Sequence, residues 1–306
     1  MDTMDTVDTM DTDHAYKIAL VQMACSPEPA RNLERATARV REAARAGARV
    51  VCLPELFLSP YFCQREDARC FDLAEPIPGP TTGAMGALGR ETGAVIIVPL
   101  FEKRGPGLYH NSLVVIDADG SIAGRYRKMH IPDDPSYYEK YYFTPGDLGF
   151  TAWKTHHGCV GTLICWDQWY PEAARMAALA GAEVIFYPTA IGWHPAEKAS
   201  EGARQFDAWR TVQRGHAVAN GVYVAAVNRV GLERAQPGDA GIEFWGGSFA
   251  CDPQGALLAE ASPDKDEIVY AEVDRRRIEE VRRNWPFLRD RRIDAYGDIL
   301  KRYRDA

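Results

Sequence analysis

The stretch Gly158-Cys-Val-Gly-Thr-Leu-Ile-Cys-Trp-Asp-Gln-Trp-Tyr-Pro-Glu172 decides how the rest of the chain is read. Val160 to Ile164 is a short apolar run of the kind that forms a buried strand. Cys165 stands where the run stops, and a tight turn leads to a helix opened by Pro171. Proline suits a first helical position because its missing N–H would have no partner there and its φ is already helical. The spacing puts Cys165 at a strand-to-helix elbow, beside the unpaired backbone N–H groups of the turn. Such groups stabilise a developing negative charge, which is what a nucleophile at an elbow requires. A small buried hydrophobe, the usual role of a free cysteine, fits this segment alone equally well.

The strand–helix pattern repeats outward. Pro171 to Ala180 reads as a helix stopped at Gly181, and Glu183 to Tyr187 as the next strand. Towards the N-terminus, Tyr16 to Met23 is a first strand and Arg49 to Leu53 a second. Between them, Asn32 to Ala46 has helical spacing at Leu33, Ala36, Val40 and Ala44. Strands joined in this way by a crossover helix are neighbours in a sheet. Thr81 to Thr92 and Ala94 to Leu100 extend that half, and Asp119-Gly120 between two alternating runs signals a hairpin. The second half adds a long helix (Ala203 to Asn220), a strand (Val222 to Asn228), a hairpin around Pro253-Gln254-Gly255 and a last strand (Ile268 to Val273). Two similar halves predict two mixed sheets packed face to face with helices outside, in one domain over residues 15–288. Residues 1–14 are an acidic Met-Asp-Thr repeat with almost nothing to bury, read as disordered. Residues 289–306, with the Arg289 to Arg292 cluster, read as an extension that needs a partner surface.

A net charge of −7 over 306 residues argues against a nucleic-acid partner. Seven cysteines without a C-x-x-C pair fit neither a disulfide framework nor a structural zinc site. His156-His157-x-Cys159 lacks a second pair at ligand spacing. No apolar run approaches a membrane span and the N-terminus has no signal pattern. The composition predicts a reduced, cytoplasmic protein with no membrane partner.

Glu55, Lys128 and Cys165 all fall just past strand ends, where the crevices of open sheets form sites. A thiol is only partly ionised at neutral pH and needs a base or a nearby cation. Glu55 can supply the base. Lys128, with the N–H of Trp166, can bind the oxygen of a tetrahedral intermediate. Taken singly, Glu55 also reads as a loop residue and Arg127-Lys128 as a solvated basic pair.

Together, Leu53-Pro54-Glu55-Leu56-Phe57, Tyr126-Arg127-Lys128-Met129-His130-Ile131 and Thr162-Leu163-Ile164-Cys165-Trp166-Asp167 resemble the three signature blocks of the nitrilase superfamily of carbon–nitrogen hydrolases. The resemblance runs from about Tyr16 to Phe287. It is closest to the branch acting on N-carbamoylputrescine, through Pro132-Asp133, Tyr138-Glu139-Lys140-Tyr141-Tyr142-Phe143, Pro145-Gly146-Asp147 and Thr189-Ala190-Ile191-Gly192. It implies a four-layer α-β-β-α sandwich, a homo-oligomer built from dimers, and a Glu-Lys-Cys triad needing no metal or organic cofactor. It makes Glu55 the general base, Lys128 the oxyanion-binding lysine and Cys165 the nucleophile, and adds Glu139 as a second glutamate beside them. Tyr61, Trp166, Thr189, Ala190 and His194 are the expected contacts to a small ureido or amide substrate. The expected reaction is hydrolysis of N-carbamoylputrescine to putrescine, CO2 and ammonia through a Cys thioester.

One segment departs from the branch. Trp193-His194-Pro195 follows Gly192 where the branch continues Ser-Glu-Pro, so His194 replaces an acid suited to an ammonium. Glu197, Glu201 and Asp207 are the nearby acids that can compensate. Ureido acids and ω-amides on the same scaffold are the rival substrates, and their carboxylates call for an Arg or Lys in the pocket. A silent binding module is the rival outside catalysis, and a thiol redox protein lacks its resolving cysteine.

Overall fold

The computed structural model describes residues 14–304; the repeat read as disordered lies, up to residue 13, outside the described residues. The strands among the described residues are, in chain order, β1 (Ala15–Gln22), β2 (Ala48–Cys52), β3 (Val95–Gly105), β4 (Leu108–Ile116), β5 (Ile122–Arg127), β6 (Ala152–Lys154), β7 (Cys159–Thr162) and β8 (Val184–Pro188). They continue with β9 (Gly192–Trp193), β10 (Tyr223–Val227), β11 (Val230–Glu233), β12 (Ile242–Trp245), β13 (Phe249–Cys251), β14 (Leu257–Glu260) and β15 (Glu267–Asp274). The helices are α1 (Pro29–Arg45), α2 (Pro80–Thr92), α3 (Glu139–Tyr142), α4 (Pro171–Leu179), α5 (Lys198–Asn220) and α6 (Arg275–Asn284).

One six-stranded sheet has the order β15-β1-β2-β3-β4-β5 and the other β14-β13-β10-β8-β7-β6. In each, the crossover units give a parallel centre (β1‖β2‖β3 and β7‖β8‖β10), and the hairpins give antiparallel flanks. Side chains alternate faces along a strand, and both faces of the first sheet are apolar. Ile18, Leu20, Val50, Cys52, Val95 and Ile97 point into the core shared with Val184, Phe186 and Val224 of the second sheet. Their neighbours Ala19, Val21, Val51, Ile96 and Val98 pack instead on Val40, Met85 and Leu88 of α1 and α2. Ala173, Ala174 and Ala177 of α4 and Trp209 of α5 cover the second sheet. The architecture is the expected α-β-β-α sandwich, with two mixed sheets and helices outside. Gly93 and Gly221 cap α2 and α5 in the left-handed region, at φ 66° and 58°.

The departures have local causes. α5 begins at Lys198 and not at Ala203, because its first turn is exposed and polar and carries no apolar spacing. α6 was not anticipated from the sequence: only Ile278 and Val281 are buried in a segment otherwise dominated by charge, and Asp274 caps it by accepting from the Arg276 N–H. A third sheet, β11-β12-β9, rests on a two-residue strand too short to show a period. Beyond α6 the chain makes only short turns and exposes Ile293, Ile299, Tyr303 and Leu300, the last 91 % accessible.

Gly146 meets the backbone that carries Lys128. Its N–H donates to the Lys128 carbonyl at 2.8 Å, and a Cβ there would lie 2.1 Å from the Arg127 carbonyl oxygen. Gly146→Ala is expected to lower stability by about 1–3 kcal/mol through overpacking, and to lower activity by displacing Lys128. Thermal unfolding alongside a turnover assay checks both.

Candidate active site

β2, β5 and β7 deliver three of the expected residues to one place. The β2 ladder runs on through the Leu53 N–H to Ile97 O bond (3.1 Å), and Glu55 follows at the strand end. Lys128 follows β5, its N–H donating to Asn111 O at 2.8 Å. After β7 the Leu163 N–H still bonds to Phe186 O (3.0 Å), and Cys165 then turns into the left-handed region at φ 43° before a 3-10 turn and Pro171. A non-glycine residue held there costs about 1–2 kcal/mol and persists only where its surroundings fix it.

Asp167 supplies much of that fixing. Fully buried, its Oδ2 accepts from the Ile164 N–H (2.9 Å) and the Tyr126 hydroxyl (2.7 Å). Its Oδ1 accepts from the His130 N–H (3.1 Å) and lies 2.8 Å from His130 Nδ1. One carboxylate thus ties the cysteine elbow to the segment carrying Lys128.

The Lys128 ammonium is 0 % exposed and donates to Glu55 Oε1 at 2.8 Å and to Glu139 Oε2 at 2.6 Å. Asn111 Nδ2 donates to the same two oxygens, at 2.7 and 3.4 Å. The Tyr61 hydroxyl donates to Glu139 Oε1 at 2.7 Å. Glu55 Oε2 is buried with no hydrogen-bond partner among the described residues, so its lone pairs are free to take a proton. Arg127-Lys128 is no solvated pair: Arg127 is buried as well, its fork on Glu102 at 2.8 and 2.7 Å.

Burial alone would strip the Lys128 proton, but Glu139 and Glu55 beside it raise its pKa well above the ordinary value. Burial also raises Glu139, with Lys128 opposing and Glu55 reinforcing. The Cys165 thiol is pushed well up by burial first and by the Glu55 charge second, against the pull of Lys128. Both shifts favour the protonated forms, a thiol beside a charged lysine.

The same burial raises Cys52, Cys63, Tyr61, Tyr126 and Tyr187. In all of these the neutral, protonated form is the one favoured by folding. Above the ordinary thiol pKa, roughly 8.5, the unfolded chain has lost protons that the folded chain still holds, so stability falls as pH rises. Melting temperature is expected to decline steadily above about pH 9, where surface carboxylates no longer titrate. Thermal unfolding between neutral pH and pH 10 is the check, and a flat profile would contradict it.

A cavity of about 370 Å³ reaches Cys165 and Glu139. Of the expected substrate contacts, Trp166, Ala190 and His194 line it. Tyr61 and Thr189 do not: Tyr61 stands behind Glu139, and the Thr189 hydroxyl donates to Tyr187 O at 3.0 Å. Of the three compensating acids, Glu197 lines the cavity while Glu201 and Asp207 do not. Asp134, Tyr137, Trp169 and Trp245 also line it, and among the described residues no lysine or arginine does. The sequence reading does not single out Asp134 or Asn111; Asn111 lies in the polar His110-Asn111-Ser112 stretch that precedes the apolar half of β4. Among the described residues no cluster has metal-holding geometry. His156 pairs with Asp117 (3.0 Å), and His157 Nε2 meets Gly93 O at 2.7 Å.

The sequence pattern of the carbon–nitrogen hydrolases matches residues 17–283. The chain belongs to the carbon–nitrogen hydrolase family. It is 44% identical to N-carbamoylputrescine amidase of Solanum lycopersicum, over 92% of this chain and 94% of that protein. It is 41% identical to citrullinase of Francisella tularensis subsp. tularensis, over 94% and 99%. A carbon–nitrogen hydrolase structure from Helicobacter pylori G27 superposes with a TM-score of 0.92 at 50% identity, covering 95% of this chain and all of that one. The nitrilase-superfamily resemblance of the three signature blocks is thereby established along most of the chain.

Proposed function

We propose that the protein hydrolyses N-carbamoylputrescine to putrescine, CO2 and ammonia, with Cys165 as nucleophile, Glu55 as general base and acid, and Lys128 as oxyanion donor. The observation that carries the substrate is the cavity lining: Asp134 and Glu197 supply carboxylates, Glu139 is already paired with the buried Lys128 at 2.6 Å, and among the described residues no lysine or arginine lines the cavity. An ammonium-ended ureide fits that balance, and the aromatic walls Tyr137, Trp166 and Trp169 suit its butyl arm and its cation. A carboxylate-ended ureide or ω-amide would meet like charge.

In the first half of the reaction the Cys165 Sγ attacks the ureido carbon while Glu55 Oε2 takes the thiol proton. Lys128 and the Trp166 N–H stabilise the oxyanion. Glu139 orients the terminal ureido nitrogen. Collapse passes the proton from Glu55 to that nitrogen, which leaves as ammonia, and the alkylcarbamoyl group stays on sulfur. Water, deprotonated by Glu55, then cleaves the thioester. The released carbamate decomposes to CO2 and the free diamine. The chemistry needs no metal or organic cofactor, takes place in the cytoplasm, and is carried out by a homo-oligomer whose contacts include the exposed apolar C-terminal turns.

Ammonia release from N-carbamoylputrescine, N-carbamoyl-β-alanine, citrulline and a simple ω-amide tests the assignment. Strong preference for the first is expected, and preference for any of the others would overturn it. Asp134→Asn with Glu197→Gln is expected to raise KM about 5-fold, the effect of two half-screened ion pairs, with kcat little changed.

A further inference from the structure

Arg229, between β10 and β11, is remote in sequence from the catalytic segments but packs against the loop that follows Glu55. It is fully buried, its guanidinium 5.4 Å from the centre of the Phe244 ring. Nη2 donates to the carbonyl oxygens of Leu56 (3.3 Å) and Ser59, and Nη1 pairs with Glu233 Oε2 at 3.3 Å. That same glutamate oxygen accepts from the Tyr61 N–H at 2.6 Å. Leu56, the neighbour of Glu55, is held at φ 50°, a conformation leucine avoids unless its surroundings impose it. Tyr61, at the far end of the loop, is the residue whose hydroxyl holds Glu139.

A buried ion pair is a poor way to gain stability, since desolvation consumes most of the attraction. Here its donors and acceptor fall on backbone groups of residues 56, 59 and 61, the stretch that runs from Glu55 to Tyr61, whose hydroxyl holds Glu139. We infer that Arg229 and Glu233 are positioning residues: they clamp this loop and so hold Glu55 and, through Tyr61, Glu139 in register with Lys128 and Cys165. The inference rests on the assignment of Glu55 as the base. It adds a device supplied by the second half of the chain to a catalytic group of the first half.

The test uses the full-length protein and two variants. Arg229→Lys keeps a positive charge beside Glu233 but its single ammonium cannot span both carbonyls and the carboxylate. It is expected to lower kcat by about 30–100-fold, the effect of misplacing a catalytic group by around an ångström, with KM for the ureide changed less than about 3-fold. Glu233→Gln keeps an acceptor for the Tyr61 N–H and loses the ion pair, so a smaller fall in kcat is expected. The rate at which iodoacetamide alkylates Cys165 falls in parallel, and this readout needs no substrate, so it reports on the clamp whichever ureide the enzyme prefers. Combining Arg229→Lys with Tyr61→Phe gives less than the product of the separate losses, because both act through Glu139. Wild-type kcat and alkylation rate in both variants would overturn the inference. So would a fall in kcat matched by an equal fall in the moles of Cys165 that label at completion, which is the signature of a merely unfolded fraction.

Discussion

Cys165→Ala is expected to abolish the proposed ureide hydrolysis, by at least about 10⁴-fold on the scale set by removal of catalytic nucleophiles, and to leave the fold in place. The sulfur is the only atom deleted, and the elbow that presents it is fixed by Asp167 and the Leu163–Phe186 bond, neither of which involves the thiol. Alanine also tolerates the φ of 43° no worse than cysteine does. Cys165→Ser is expected to fall nearly as far: a hydroxyl is a weaker nucleophile than a thiol, and its proton is harder for Glu55 to remove. Ammonia release together with circular dichroism checks both variants. Retained turnover in the alanine variant would remove the mechanism altogether.

Lys128→Met is expected to have a smaller effect on turnover but a larger one on stability, by a different route. The ammonium lies between Glu55 and Glu139, all three being buried. Removing it leaves two carboxyl groups facing each other out of water, and stability falls by about 3–5 kcal/mol, the cost of breaking a buried pair from one side. Turnover falls by about 10²–10³-fold for loss of an oxyanion donor. The variant also has a distinct pH signature. Without the cation, like charge and burial raise at least one carboxyl pKa above its unfolded value. A group with a raised folded pKa contributes stability below the unfolded pKa and loses it as pH rises through the folded one. The variant is therefore expected to lose more of its stability near pH 8 than near pH 5, relative to the parent protein. Equal losses at both pH values would mean that Lys128 is not what compensates the two carboxylates.

How much of this was legible in the sequence depends on range. The sheets were readable because burial on both faces makes strands such as Ile18 to Val21 and Val95 to Val98 continuously apolar, and because Gly93, Gly221 and Asp119-Gly120 punctuate them. That Glu55, Lys128 and Cys165 come together was foreseeable because each falls within three residues of a strand end and because the three blocks around them resemble the superfamily's signatures. Tyr61 and Thr189 are expected substrate contacts, and of their chain neighbours only Ala190 lines the cavity. The structure turns Tyr61 onto Glu139 and Thr189 onto the backbone, which only side-chain direction decides. Asp134 and Glu197 sit on polar, exposed segments with no periodicity, and their convergence on the cavity depends on the long loop before α3 and the start of α5. Nothing in the sequence around Arg229 and Glu233 marks them out, and only the packing of one half on the other buries them. α6 was hidden by its own arginines.

The measurement that tests the central claim most directly is mass analysis of the Cys165 peptide, acid-quenched during turnover of N-carbamoylputrescine. The account predicts an alkylcarbamoyl group on Cys165, appearing with a burst of ammonia that precedes putrescine, and absent from Cys165→Ala. Turnover with Cys165 unmodified at every time, and ammonia and putrescine released in step from the first millisecond onward, would contradict it.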